Sequence, residues 1–152
     1  MVARLMSMLN LQASYFSIEN PLRAMDRWFN KFRHQKIVRV NQRDVEVSWT
    51  NRAERALHDN RQPLIVELQL YFSCVVQKRV VFHQSTEFDT VNVNGRFEIA
   101  FRPIASAVCD PREFALNHPA GKDLSQGVAT RMIPRIVEID YRQGNWEGQF
   151  GY

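Results

Sequence analysis

The sequence predicts one α+β domain of 152 residues. Its predicted core is a mostly antiparallel, strongly curved sheet of about six to eight strands, with two N-terminal helices packed on one face. Three observations support this fold class. A long central stretch alternates apolar and polar residues, helix signals cluster before it, and short turns separate the strands that follow it. An apolar fraction of 45% and a charged fraction of 24% suit a soluble globular protein.

The stretch Pro63–Gln84 forms the centre of the predicted sheet. Successive side chains of a strand point to opposite faces, so apolar residues at every second position indicate a half-buried strand whose other residues face water. A turn near residues 77–79 with an odd number of residues keeps Val80 and Phe82 on the apolar face and leaves His83 on the wetter face. The alternating apolar residues are Leu64, Val66, Leu68, Leu70, Phe72, Cys74 and Val76.

Two helices are predicted before this strand. Asn20–Pro21 supplies a capping side chain and a proline at the first helical position, and this helix would end near residues 34–36. A second helix would begin at Thr50 or Asn51 and end at Asn60. The apolar stripe of the first helix needs a partner surface, and we expect the sheet to provide it. That stripe comprises Ile18, Leu22, Met25, Phe29 and Phe32.

Three hairpins are predicted from matching apolar residues and turn signals. Their turns are placed at Gln42–Arg43, at Asn94–Gly95 with Gly95 in the left-handed position of a bulged loop, and at Gly144–Asn145. The expected cross-strand pairs are Val40 with Val45, Val38 with Val47, Val91 with Phe97, Tyr141 with Gly148, Ile139 with Phe150 and Val137 with Tyr152.

A long polar loop and the first helix carry the candidate contact residues. Residues 120–130 form the longest stretch without periodicity, after a short helix predicted from Asp110. Loops flanked by rigid strands often hold binding residues. The candidates are Arg27, Trp28 and Lys31 on the first helix, and His118, Lys122, Asp123, Ser125 and Gln126 in or beside the loop.

The net charge of the whole chain is +4, and the excess of basic residues lies in its N-terminal part. The segment 23–43 mixes aromatic and basic residues, as single-stranded nucleic-acid binders do. At helical spacing most of its apolar side chains fit a core better, which leaves Trp28 and the basic face. A nucleic-acid-binding module is therefore an alternative to a protein or small-ligand partner.

The side chains Cys74, His83, Cys109 and His118 have the composition of a tetrahedral zinc site. Structural zinc sites usually place one ligand pair close together in sequence, and this chain has no such pair. We therefore predict no metal, no cofactor and two reduced, core-facing cysteines in a cytoplasmic protein. A small enzyme that uses Cys109 or His118 is an alternative, so the sequence leaves catalysis undecided.

The order of elements resembles that of the cone-shaped domains similar to nuclear transport factor 2 and of cystatin-like folds. This resemblance is one of topology and implies no function. From the residues we expect a non-catalytic binding or protein-interaction module with a cleft between the first helix and the sheet, and the pattern is compatible with a homodimer. No apolar run is long enough for a transmembrane helix, and residues 1–16 fit a helix, an arm or a targeting sequence.

Overall fold

The computed structural model describes residues 22, 25–26, 29–74, 76–106, 112, 121–124 and 127–152. Its contacts divide the chain into two compact units, Met1–Asn30 and Lys31–Tyr152. The prediction of a single domain over residues 1–152 stays a prediction. Within the described ranges, no helix is long and apolar enough to cross a membrane.

The described part of the second unit contains the strands and helices bounded below, and Arg112 is also helical. The elements are β1 (Phe32–Val40), β2 (Arg43–Thr50), α1 (Asn51–Asp59), β3 (Leu64–Phe72), β4 (Val76–His83), β5 (Val91–Asn92), β6 (Phe97–Ala105), β7 (Lys122–Asp123), a 3-10 helix (Val128–Arg131), β8 (Ile136–Arg142) and β9 (Asn145–Gly151).

These strands form two sheets that share one apolar core. The four-stranded sheet has the order β1-β2-β8-β9, and the five-stranded sheet has the order β4-β3-β6-β5 with β7 added to β6. Both sheets are mixed, because β2 runs parallel to β8 and β3 runs parallel to β6. Their inner faces meet, for example, where Trp49 packs edge-on against Phe97 with 5.1 Å between ring centroids. The predicted fold class, one curved sheet beneath two helices, was therefore wrong, as was the cone topology.

The first predicted helix does not run to residues 34–36, because strand β1 begins at Phe32. Among the residues described before β1, Leu22, Met25 and Phe29 of the predicted apolar stripe are helical and exposed. β-branched residues favour strands, and they alternate with polar residues from Ile37 onward. Strand β1 includes Phe32, the last residue of the predicted helical stripe. The second helix is found as α1, whose N-cap Thr50 accepts a hydrogen bond from the backbone N–H of Ala53 at 3.2 Å.

Strand β3 is buried on both faces, not on one. Its apolar alternation was confirmed, but Glu67, Gln69 and Tyr71 on the opposite face are also buried. The strand lies between β4 and β6, and both neighbours supply partners for its polar side chains. Val80 and Phe82 lie beside this apolar face, as predicted, because they pair with Leu68 and Val66. On the other side of β3, Val66 pairs with Ile99 and Leu68 pairs with Phe101.

All three predicted hairpins exist, each displaced by two residues from the predicted register. Val38 pairs with Val45, Val91 with Ile99 and Ile139 with Gly148. The first and last turns are the two-residue loops Asn41–Gln42 and Gln143–Gly144, in which both residues have positive φ angles. Such primed turns match the twist of the strands, and they fix a different register from the turns we predicted. Gly95 has a positive φ angle of 81°, as predicted.

The remaining connections differ from the sequence expectation in detail. The link from β3 to β4 has an odd number of residues, as predicted, but it begins at Ser73, and residues 77–79 belong to β4. The predicted loop 120–130 contains β7 and most of the 3-10 helix. Of the short helix predicted from Asp110, the structure describes Arg112 alone, and this residue is helical.

The two sheets approach each other at their edge strands β4 and β9. A Cβ atom added to Gly148 would lie 2.8 Å from Val80 Cγ1 and 3.1 Å from Phe82 Cζ. Lys78 Nζ donates a hydrogen bond to the carbonyl oxygen of Phe150 at 2.9 Å. Gly148 therefore permits a close contact, and a larger residue there would force the side chains of Val80 and Phe82 to shift.

Candidate functional site

A buried carboxylate lies at the centre of the outer face of the five-stranded sheet. The side chain of Glu67 on β3 is only 3% exposed. Glu67 accepts hydrogen bonds from Gln69 Nε2 at 2.8 Å, from His83 Nε2 at 2.5 Å and from Arg102 Nη1 at 2.5 Å. These groups, together with Asp123, are called the ionic cluster below.

Arg102 connects three strands of this sheet. Its second terminal nitrogen, Nη2, donates to Asp123 Oδ1 on β7 at 2.6 Å, and its guanidinium carbon lies 3.7 Å from the centroid of the Phe88 ring. The short strand β7 is therefore held to β6 by an ion pair as well as by backbone pairing. Arg102 Nε is buried and has no hydrogen-bond partner in the part of the chain that the structure describes.

The ionic cluster keeps its carboxylate charged. Burial raises the pKa of Glu67, but hydrogen bonds from Gln69, Arg102 and His83 outweigh burial and leave this pKa below its ordinary value of 4.5. Burial also lowers the pKa of Arg102, whereas its bonds to Asp123 and Glu67 raise it above the ordinary range. Glu67 and Arg102 are therefore an ion pair at neutral pH.

The cluster is arranged to hold strands together rather than to react. Both oxygens of Glu67 already accept hydrogen bonds from the protein, whereas a general base must reach the proton of a substrate. His83 is 36% exposed, and its bond to Glu67 orients the imidazole on the sheet. A buried ion pair whose carboxylate oxygens both accept hydrogen bonds from the protein is typical of structural networks.

A second set of charged residues lies on or beside the four-stranded sheet, and these side chains are exposed instead of buried in ion pairs. Every lysine and arginine between positions 31 and 43 is exposed, and this segment contains no Asp or Glu. Arg39 contacts Asp44 at 3.2 Å, but the two side chains are 73% and 65% exposed, so their attraction contributes little to stability. The name basic edge is used here for these cations: Lys31, Arg33, Lys36, Arg39 and Arg43.

Strand β1 also has an unpaired backbone edge. It is the end strand of its sheet, and within the described residues its backbone pairs with β2 alone. The pair that closes a two-residue turn, here Val40 with Arg43, is hydrogen-bonded, and bonded pairs alternate with unbonded ones along an antiparallel ladder. The backbone N–H and C=O groups of Gln35, Ile37 and Arg39 therefore point away from β2.

Three of the predicted contact residues lie within the described part of the chain, and they are on two different sheets or beside them. Lys122 and Asp123 are exposed residues of β7 on the five-stranded sheet, whereas Lys31 directly precedes β1 of the other sheet. Of these three, Asp123 belongs to the ionic cluster through its bond to Arg102. The others lie outside the described residues: Arg27, Trp28, His118, Ser125 and Gln126.

The cysteine prediction was wrong for Cys74. This residue follows β3 in the turn, is exposed, and is disulfide-bonded instead of reduced and core-facing. A disulfide sulfur offers no thiolate to zinc, and His83 of the same candidate set bonds Glu67. Cys109 and His118 lie outside the described residues, in which no three potential metal ligands gather. The expectation of a cytoplasmic protein loses its basis in reduced cysteines, although the compartment itself stays a prediction.

Sequence reasoning missed Glu67 and Arg102. Glu67 was read as a water-facing residue of a half-buried strand, and Arg102 was not singled out. One signal was present: polar residues share the same alternation on three neighbouring strands, as in Glu67, His83 and Arg102. Only the strand order shows that these residues meet.

Comparison of the chain with protein-family models, with curated proteins and with solved structures found no match.

Proposed function

We propose that the protein is a non-catalytic interaction module that binds an extended segment of a partner protein along the free edge of β1. The observation that carries this proposal is the unpaired backbone of Gln35, Ile37 and Arg39 on a nine-residue end strand. An extended peptide can add to such an edge through main-chain hydrogen bonds, while its side chains give specificity. The cleft expected between the first helix and the sheet is not part of this proposal.

Two further features support binding at this edge. The strand of the other sheet that approaches β1 is β5, which is two residues long and cannot pair along the whole edge. Ile37, at the middle of β1, is 66% exposed. An apolar side chain with this exposure on an end strand offers a contact that an added strand would bury.

Amide hydrogen exchange, followed by NMR on the full chain, tests the proposal. In the free protein the amides of Gln35, Ile37 and Arg39 should exchange fast, whereas those of Lys36 and Val38, which bond β2, should exchange slowly. Peptides of about ten residues, selected from a random display library, should slow exchange at the three edge amides. Protected edge amides in the free protein would show that the edge is already covered.

A matched peptide control separates strand addition from side-chain contact. Methylation of alternate backbone nitrogens of a selected peptide removes the donors that would face β1, while the side chains stay unchanged. Binding should then be lost. Unchanged binding of the methylated peptide would contradict strand addition, and with it the proposed function.

A further inference from the structure

We infer that the segment bound along β1 is acidic, with carboxylates opposite Lys36 and Arg39 and an apolar side chain opposite Ile37. This inference rests on the proposed function and names the chemistry of its partner. It is carried by the basic edge: within the segment 31–43 all charged residues are cations, and all of them are exposed.

Strand geometry converts this charge pattern into a spacing. Side chains directly opposite each other on neighbouring antiparallel strands have Cβ atoms about 5 Å apart, and opposite charges there attract. A peptide antiparallel to β1 would therefore carry an acidic residue opposite Arg39, an apolar residue two positions later, and a second acidic residue one position after that. Arg33 lies at a β-bulge between Phe32 and His34, so it specifies no pair.

The acidic residues closest to β1 in the sheet do not cancel its charge. Asp44 and Glu46 lie on β2, opposite Arg39 and Ile37, and both are exposed. An added strand would lie on the other side of β1, about 10 Å from β2. Exposed charges at that distance are largely screened at physiological salt, whereas those of β1 are next to the added strand.

The same charges argue against a second copy of the chain as the partner. Pairing two β1 strands edge to edge would bring two basic edges together, and like charges on opposed positions destabilise pairing. Basic residues on end strands are one way in which proteins avoid such self-association. An acidic segment is the extended chain that these charges attract.

A single-stranded nucleic acid fits this edge less well. Binders of that class stack bases on exposed aromatic rings. The imidazole of His34 on β1 is already stacked on Trp49, with 5.7 Å between centroids, and its Nε2 contacts Asn51 Oδ1 at 2.8 Å. Phosphates could meet the cations, but they would leave the backbone donors of Ile37 and Arg39 without a strand partner.

Synthetic peptides of about nine residues test the inference by fluorescence anisotropy. One peptide carries glutamates and isoleucine at the spacing above among threonines, one has the same composition in shuffled order, and one has lysines in place of the glutamates. The patterned acidic peptide should bind about tenfold more tightly than the shuffled peptide, since two opposite-charge pairs are gained. Its affinity should fall as salt is added.

Charge reversal on the protein provides the matched test. The double variant Lys36→Glu/Arg39→Glu should weaken binding of the acidic peptide by about tenfold or more and strengthen binding of the lysine peptide. The control Arg61→Glu/Arg131→Glu changes the net charge equally at exposed positions outside β1 and should bind like the parent protein.

The outcomes separate the inference from the proposed function. If the lysine or shuffled peptide binds as well as the patterned one, and the edge amides are protected, the charge inference is overturned while strand addition stands. If no peptide protects those amides, both fail. Tighter binding of a single-stranded oligonucleotide, or a dimer with protected edge amides in the absence of peptide, would also overturn the inference.

Discussion

Arg102 and Arg39 are both strand arginines beside a carboxylate, yet their surroundings give them opposite roles. The side chain of Arg102 is 20% exposed and contacts both Glu67 and Asp123. That of Arg39 is 73% exposed and contacts one exposed carboxylate. A buried charge must be matched within the protein, so it contributes to the fold, whereas an exposed one remains accessible to a partner. The ionic cluster and the basic edge differ in the same way.

The largest expected difference is in stability. Replacing Arg102 with methionine should lower the free energy of unfolding by about 3–5 kcal/mol, because it leaves the charge of Glu67 buried without its main partner. Replacing Arg39 with methionine should change it by less than about 0.5 kcal/mol. Urea unfolding of both variants measures this contrast, and similar losses in the two variants would contradict it.

The disulfide at Cys74 gives the next largest effect. Reduction should lower the free energy of unfolding by about 2–4 kcal/mol, as expected for a cross-link that constrains the unfolded chain. Thermal unfolding with and without reductant checks this expectation. Thiol titration is the control: the Cys74 thiol should be absent from the native protein and appear on reduction, since Cys74 is disulfide-bonded. Free thiols in the untreated native protein would show that the disulfide is absent.

Acid should weaken the ionic cluster and leave the basic edge unaffected. The pKa of Glu67 is below its ordinary value of 4.5 in the folded protein, so its contribution to stability is present above that value. That contribution is lost as the pH falls through the lowered pKa. Urea unfolding at a series of pH values should show a shallower acid loss for Glu67→Gln than for the parent protein.

The matched control for this pH series is Glu46→Gln, an exposed glutamate on β2. Its acid profile should match that of the parent. Part of the loss should persist in Glu67→Gln, because Asp140 also has a lowered pKa: its carboxylate is buried, which raises the pKa, but accepts bonds from Arg52, Thr50 and the Tyr141 backbone. Identical profiles for Glu67→Gln and the parent would show that Glu67 does not contribute.

The smallest expected effect on stability sharpens the contrast. Lys36→Glu/Arg39→Glu should leave the free energy of unfolding within about 0.5 kcal/mol per substitution of the parent value, while it changes peptide binding. Far-UV circular dichroism and urea unfolding of the variant measure this. A large loss of stability would show that the basic edge stabilises the fold. It would contradict the difference in role between Arg39 and Arg102.

The apolar pattern predicted the faces of the strands but not their registers. Val38, Val45 and Ile139 lie in the core as predicted, whereas each hairpin is displaced by two residues. A displacement of two residues leaves every side chain on the same face, so hydrophobic alternation does not distinguish the two registers. The conformation of the turn determines the register. Asn41 and Gln42 adopt positive φ angles although neither is a glycine, so the sequence did not indicate this turn.

Local spacing in the sequence showed neither where the first helix ends nor which residues contact Glu67. The first helix was inferred from local spacing, but β1 takes over from Phe32 because it pairs with β2. Glu67 and Arg102 are 35 positions apart, and only the parallel pairing of β3 with β6 brings them together. A parallel pair has no connecting hairpin to reveal it in the sequence.

The missing side chain of Gly148 has a consequence for association. Its contact with Val80 and Phe82 lets the end strands β9 and β4 lie against each other, so that these two edges are hidden by packing and not by hydrogen bonds. A β-branched residue at this position would clash with Val80 and Phe82 and push the two end strands apart. Strand β4 would then expose an edge that carries Lys78 and Arg79, whereas β9 would expose an edge without cations. An exposed edge of the second kind is a site at which another chain can add as a strand.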